Sequence, residues 1–194
     1  MRTIESAIAV HFFSDAPDAT HGLVENARLF DLCDSQRAAR PYPHARAALT
    51  IEGDTAPISS LPGASLGAGP FIPRRSWEGS PDERRYTHLL LALTNAKPGQ
   101  DEAFDSWYWD QHFPDGLRLP GCYAGRRYAL ASGAKGPFRH LAIYQFDLPD
   151  IGEAVDAIAA RSGTPDMPLT DTISSVFQAW FVEPTGAWNC PALV

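Results

Sequence analysis

Cysteine is scarce in this sequence, basic residues form no run, and no apolar segment is long; each shortage excludes a class of protein. The three cysteines are odd in number and widely spaced, at Cys33, Cys122 and Cys190. This spacing argues against a disulfide framework and predicts reduced thiols in a cytoplasmic protein. No stretch approaches the roughly 18 apolar residues of a membrane-spanning helix. Charged residues interrupt the N-terminal MRTIESAIAVHFFSD, which indicates a strand rather than a signal peptide.

Charge and missing motifs narrow the possible partners. The formal net charge is −7, and without a basic run this argues against nucleic acid or an anionic membrane surface. The glycine-rich phosphate-binding motifs GxGxxG and GxxxxGK[ST] and the CxxC motif are all absent. We therefore expect no metal and no other cofactor, and a small molecule as the partner.

The second half of the chain predicts the element order β-α-β-β-α-β, which is the ferredoxin-like unit. Apolar runs bounded by glycine and proline predict strands, and helical spacing of apolar residues predicts helices. The strands are expected over residues 86–95, 121–131, 138–147 and 172–182, and the helices over 100–113 and 149–161. Because proline cannot continue a helix as an interior residue, Pro114 predicts that the first helix ends near His112.

The first half resembles a degenerate copy of the second. FFSDA at 12–16 aligns with ALTNA at 92–96, and ARLFDL at 27–32 with GRRYAL at 125–130. The offset grows by 18 residues (98 minus 80), about the length of the first helix. The first copy is therefore expected to lack that helix and to carry the tight connection APDATHG instead. Chance similarity between apolar strands is the alternative.

These features predict an α+β fold of two ferredoxin-like units. At 194 residues, of which 44% are hydrophobic, the chain suits one domain or two fused small units. The segment before the second unit is rich in glycine, proline and serine, so we expect a linker there, with a remnant of a helix and a last strand as the alternative. The expected parts are a degenerate half (1–53), a linker (54–85), a complete unit (86–183) and a tail (184–194).

The segment LTNAKPGQDEAFDSWYWDQHFPDGLRLPGCYAGRRYAL resembles the EthD-like members of the dimeric α+β barrel superfamily. Their helix carries a Trp-Tyr-x-x-x-His-x-Pro stretch, followed by Pro-Gly and a strand that ends in Arg-Tyr or Arg-Phe. The matching positions here are Trp107, Tyr108, His112, Pro114, Pro120, Gly121, Arg127 and Tyr128. The resemblance covers about residues 86–183 and implies two sheets that form a barrel. The second sheet usually comes from another subunit, so the alternatives here are closure within one chain and a homodimer. The missing first helix departs from the family pattern.

His112 and Tyr108 are the candidate catalytic residues. A histidine titrates near neutrality and can exchange protons, and the dipole at a helix C-terminus favours its protonated form. Tyr108 lies one turn earlier and can donate to a developing enolate oxygen. The pair suits lyase, isomerase or cyclase chemistry on an aromatic or polyketide-like substrate. The alternative is structural: His112 caps the helix and Tyr108 packs on the sheet.

Five further side chains are candidates for substrate binding: Trp107, His88, His140, Tyr144 and Arg127. Arg126 and Arg127 alternate along a strand, so one is expected to point inward, where it could bind a carboxylate, and the other to be solvated. If His88, His140 and His112 converge, they could hold a metal or a haem, as in an oxygenase. A non-catalytic metabolite-binding or assembly protein is the other alternative.

Overall fold

The computed structural model describes residues 7–14, 27–33, 46–52, 64–75, 77–80 and 86–185. The strands are β1 Ala7–Phe13, β2 Ala27–Leu32, β3 Arg46–Glu52, β4 Leu66–Pro73, β5 Glu78–Gly79, β6 His88–Thr94, β7 Cys122–Leu130, β8 His140–Phe146 and β9 Gln178–Pro184. The helical segments are α1 Asp101–Trp107, a π-helical turn Tyr108–His112, α2 Phe113–Leu117 and α3 Gly152–Arg161. None of the helices in the described ranges is long and apolar enough to cross a membrane.

The strands form an antiparallel sheet in the order β4-β1-β3-β2-β9-β6-β8-β7-β5. In addition, β4 pairs with β7, where Phe71, Ile72 and Pro73 face Leu130, Ala129 and Tyr128. Strand β4 therefore pairs along both of its edges, with β1 and with β7. The α+β class predicted from the sequence is confirmed.

The two halves of the chain arrange their strands in the same order. Strands β1 to β4 follow the order β4-β1-β3-β2, and the strands of the second half follow β9-β6-β8-β7. In each set the fourth strand lies beside the first, then the third, then the second. The β-α-β-β-α-β element order predicted for residues 86–183 is confirmed.

Strand β6 is buried on both faces, which explains why its sequence does not alternate. Leu89, Leu91 and Leu93 belong to one apolar cluster. Leu90 and Ala92 belong to a second cluster on the opposite face, which the helices cover. The candidate site lies on this second, helix-covered face.

The first helix does not end near His112, as Pro114 suggested, but continues to Leu117. A proline lacks an N–H group, and its ring clashes with the carbonyl four residues earlier. Here the backbone widens before the proline: the Phe113 N–H donates to the Tyr108 oxygen, five residues back. Pro114 then falls in the first turn of α2, where the missing N–H leaves no hydrogen bond unmade.

Two other expectations about elements were wrong in part. The last strand begins at Gln178 rather than Thr172, and Val176 and Phe177 before it are exposed. The segment expected to be a linker contains β4, which agrees with the alternative of a last strand there. Ala68 and Phe71 are buried in the core, and this burial overrides an unfavourable composition. The connection APDATHG, the expected helix remnant before residue 64 and the tail from residue 186 lie outside the described residues.

Candidate functional site

The π-helical turn forms the centre of the candidate site. Tyr108 is its first residue and His112 its last, and their ring centroids lie 5.0 Å apart in an edge-on arrangement. Trp107 stacks on His112 with a centroid distance of 4.5 Å and an interplanar angle of 19°. π-Helical turns are rare and often occur at functional sites. The structure thus brings together three of the side chains predicted from the sequence.

Tyr144 of β8 lies beneath this turn. Its ring packs 5.1 Å from that of Phe113, and the absence of a side chain at Gly116 makes room for it: a Cβ there would lie 2.7 Å from the Tyr144 ring. The Tyr144 hydroxyl lies close to the Tyr108 hydroxyl, and this contact contributes to the pKa of each phenol.

Both phenols are protonated at neutral pH. Tyr108 is 1% exposed and Tyr144 2% exposed. Burial raises the pKa of Tyr108, and the nearby Arg127 opposes this rise. Burial also raises the pKa of Tyr144 well above its usual range, and the proximity of Tyr108 adds to the effect. Each phenol can therefore donate a proton or a hydrogen bond to a developing negative charge.

His112 is half-buried and uncharged at neutral pH. Burial lowers the pKa of its imidazole to about 4, while Asp115 acts to raise it and Arg127 to lower it. The Nδ1 atom has no hydrogen-bond partner in the described part of the chain. The protonated histidine expected at a helix end was wrong because the helix continues to Leu117 and because burial outweighs the dipole. A neutral imidazole acts as a base rather than an acid.

Asp115 of α2 also belongs to the site. Its side chain is fully buried, and it accepts hydrogen bonds from Gln111 Nε2 at 2.9 Å and from Arg118. The donors lie four residues before it and three residues after it, which is a spacing typical of contacts along one helix face. Its negative charge raises the pKa of His112 but does not offset the effect of burial.

Arg127 of β7 lies within an aromatic cluster at 2% exposure. Its guanidinium carbon lies 3.9 Å from the Tyr108 ring centroid and 5.0 Å from that of Trp109. Its Nη2 donates to Asp105 Oδ1 at 2.9 Å and to His140 Nδ1 at 3.4 Å. Its Nε and Nη1 atoms have no hydrogen-bond partner among the residues described.

Arg126 is also buried, so the expectation that one of these two arginines is solvated was wrong. Its guanidinium carbon lies 5.8 Å from the rings of both Trp77 and Tyr128, on the opposite face of the sheet. Both arginines are buried because both faces of β7 are covered.

The three histidines considered for a metal or a haem do not converge. Thr94 of β6 pairs with His140, whereas His88 pairs with Phe146 at the other end of the strand. Six residues of strand separate the two positions, which corresponds to about 20 Å. His88 contacts Thr87 Oγ1 at 2.9 Å and Glu183 at 4.0 Å instead. Within the described ranges, no group of three His, Cys, Asp or Glu residues could hold a metal ion.

A cavity of about 660 Å³ lies beside this cluster. Its walls include Asp105 and His140, together with the loop 131–136 between β7 and β8. Neither Tyr108 nor His112 lines it. The candidate catalytic residues and the cavity are therefore separate, and Arg127 with its partners connects them.

Comparisons with known proteins add little. No family model and no curated protein matches the sequence. A solved structure described as a major regulator of staphylococcal pathogenesis is similar at 13% identity and a TM-score of 0.47, over 82% of this chain and 85% of that one. A similarity of this extent carries no argument about function.

Proposed function

We propose that the chain is a cofactor-independent enzyme that moves a proton next to a carbonyl group of a small, aromatic substrate. The observation that carries this proposal is the π-helical turn, because its first and last residues are the candidate proton donor and base. Groups with strongly perturbed pKa values that cluster together mark functional sites in many proteins. Lyase, isomerase and cyclase reactions that pass through an enolate begin with such a step.

In the proposed step, the neutral imidazole of His112 accepts the proton of a carbon next to the carbonyl. The electron pair of the broken C–H bond moves to the carbonyl oxygen, and the phenol of Tyr108 donates a hydrogen bond to the enolate oxygen that forms. Because Tyr108 is 1% exposed, contact with substrate requires movement of a neighbouring aromatic side chain. Trp107 is the candidate for this movement, because it stacks on His112 and is only half-buried.

Hydrogen exchange into a ketone tests this step. In D₂O, the protein should accelerate loss of the α-proton NMR signals of 2-tetralone and acetophenone. His112→Ala and Tyr108→Phe should each lower that acceleration about 10²-fold, because each removes one participant in the proton transfer. Glu102→Gln, an exposed change on the same helical segment, should leave it unchanged.

A second candidate is a non-catalytic metabolite-binding protein. The cavity favours it, because this cavity excludes both Tyr108 and His112. If the two ketones bind, as judged by shifts of protein amide signals, and yet exchange no faster than in buffer, the catalytic proposal is wrong and this candidate is supported.

We further propose that the chain is related to the EthD-like proteins and that two ferredoxin-like units in one chain close a barrel. The repeated strand order supports this, as do the pairings β2–β9 and β4–β7, which join the two halves at both edges. With both edges paired internally, a homodimer is not needed to complete the sheet. We also propose a cytoplasmic location, which the wide spacing of the three cysteines supports.

An engineered disulfide tests internal closure. Ile72 and Ala129 are paired across β4 and β7, and paired residues in antiparallel strands lie within disulfide reach. The variant Ile72→Cys/Ala129→Cys should form a disulfide within a monomer, seen as faster migration in non-reducing gels. Ile72→Cys alone should not migrate faster. A disulfide-linked dimer would instead support pairing between two copies.

A further inference from the structure

The cavity between α1 and the 131–136 loop combines positive charge with an unsatisfied hydrogen-bond donor. Three cations line it (Arg74, Lys135 and Arg139), against the carboxylates of Asp101 and Asp105. Each carboxylate already has a partner, since Asp101 lies 3.3 Å from Arg139, and Asp105 lies 2.9 Å from Arg127 and 3.9 Å from Arg74. Three cations therefore face two carboxylates in the lining. The cavity therefore carries an uncompensated positive charge.

His140 supplies the donor. The residue His140 lines the cavity and is 8% exposed. Because an arginine always donates, the contact from Arg127 Nη2 at 3.4 Å makes His140 Nδ1 the acceptor. In a neutral imidazole the proton then lies on Nε2. That Nε2–H group is buried and has no acceptor among the described residues.

A buried donor without an acceptor is costly, so such groups are normally paired or serve a ligand. An uncharged donor beside excess positive charge suits an oxygen that carries negative charge. Arg74 and Arg139 are 55% and 63% exposed at the mouth, where they can approach an anion that enters from solvent. Arginine binds carboxylates through two parallel hydrogen bonds, which lysine cannot do.

We propose that this cavity binds the carboxylate of a small organic acid, with His140 Nε2–H as the inner donor and Arg74 and Arg139 as the outer ones. The site does not depend on His112 or on the proton transfer proposed above. Its ligand can be a substrate, a product or an effector of the neighbouring cluster, and the chemistry of recognition is the same in each case.

Titration with sodium benzoate, followed by ¹H–¹⁵N NMR of the folded protein, tests the proposal. Benzoate should cause saturable shifts in the amide signals of the 131–136 loop and in the His140 imidazole nitrogens. Benzyl alcohol, which has the ring but no charge, should not. His140→Ala and Arg139→Gln should each raise the Kd for benzoate about tenfold, because each removes a donor to the anion. His140→Gln keeps an N–H donor and should restore part of the affinity.

Lys97→Gln is the matched control, since it removes one exposed positive charge outside the cavity. It should leave the Kd unchanged. Benzyl alcohol binding as tightly as benzoate, shifts that do not saturate, or an unchanged Kd in His140→Ala would each overturn the proposal. The exchange experiment with ketones is independent, so failure of one proposal can be told apart from failure of the other.

Discussion

Lowering the pH from 7 to 4 should destabilise the folded protein by several kcal/mol. Three histidines, His11, His112 and His140, have pKa values lowered from 6.5 to about 4, with burial as the main cause in each. In the unfolded chain these imidazoles titrate near pH 6.5. Between pH 6.5 and pH 4 the unfolded state therefore binds more protons than the folded state. The free energy of unfolding consequently decreases as the pH is lowered through this range.

The sign and size follow from linkage. The stability that these groups contribute is fully present above pH 6.5 and is lost as the pH falls to about 4. A shift of this size corresponds to about 3 kcal/mol for a buried histidine. His11 is 0% exposed and His140 8% exposed, so the full figure applies to them, whereas the half-buried His112 contributes less. The folded state of a typical domain is favoured by about 5–15 kcal/mol, so the combined loss from these three histidines would bring the protein close to unfolding.

Urea unfolding between pH 7.5 and pH 4 measures the effect. The free energy of unfolding should fall most steeply between pH 6.5 and pH 4.5. His140→Gln should reduce the total fall by about 3 kcal/mol, whereas Lys97→Gln, a change at an exposed position, should not alter it. A stability profile that stays flat from pH 6.5 to pH 4.5 would show that the imidazoles are solvated.

The strands of the second half could be predicted because a strand that is buried on both faces has an uninterrupted apolar sequence. The run LLLAL is apolar throughout, and lysine, proline and glycine follow soon after it, so the predicted strand agrees with β6 in type and position. Strand β4 gave no such signal, since GAGPFIP has the composition of a loop. Its pairing with β1 and β7 and the burial of Phe71 stabilise it, and these are tertiary contacts that local composition does not contain.

For the candidate site, spacing along one helix predicted the contact between Tyr108 and His112, and the structure confirms that contact. The protonation state of His112 could not be predicted, because it depends on burial and on whether the helix passes Pro114. The pairing of Asp105 with Arg127 joins residues 22 positions apart on a helix and a strand. No periodicity connects such positions, although this pair sets the charge at the centre of the cluster.

Asp105→Ala should destabilise the protein by about 3–5 kcal/mol, the cost of leaving a buried charge without its partner. Arg127 is 2% exposed and, among the residues that the structure describes, would keep the aromatic rings and His140 Nδ1 as contacts. The reverse change, Arg127→Met, should cost less, because Asp105 is 33% exposed and lies 3.9 Å from Arg74. Substituting Arg127 is thus predicted to lower the free energy of unfolding less than substituting Asp105, its partner in the ion pair.

A double-mutant cycle in urea at pH 7 makes this asymmetry measurable. The variant Asp105→Ala/Arg127→Met should be more stable than Asp105→Ala alone, because removing the orphaned guanidinium removes its desolvation cost and methionine fills the aromatic cluster. Asp101→Ala is the matched control: its pair with Arg139 is exposed on both sides, at 45% and 63%, so its loss should cost less than about 1 kcal/mol. If Asp105→Ala costs no more stability than Asp101→Ala, the guanidinium of Arg127 is hydrated rather than buried without a partner. Arg127 would then have little electrostatic effect on either the proton-transfer site or the neighbouring anion cavity.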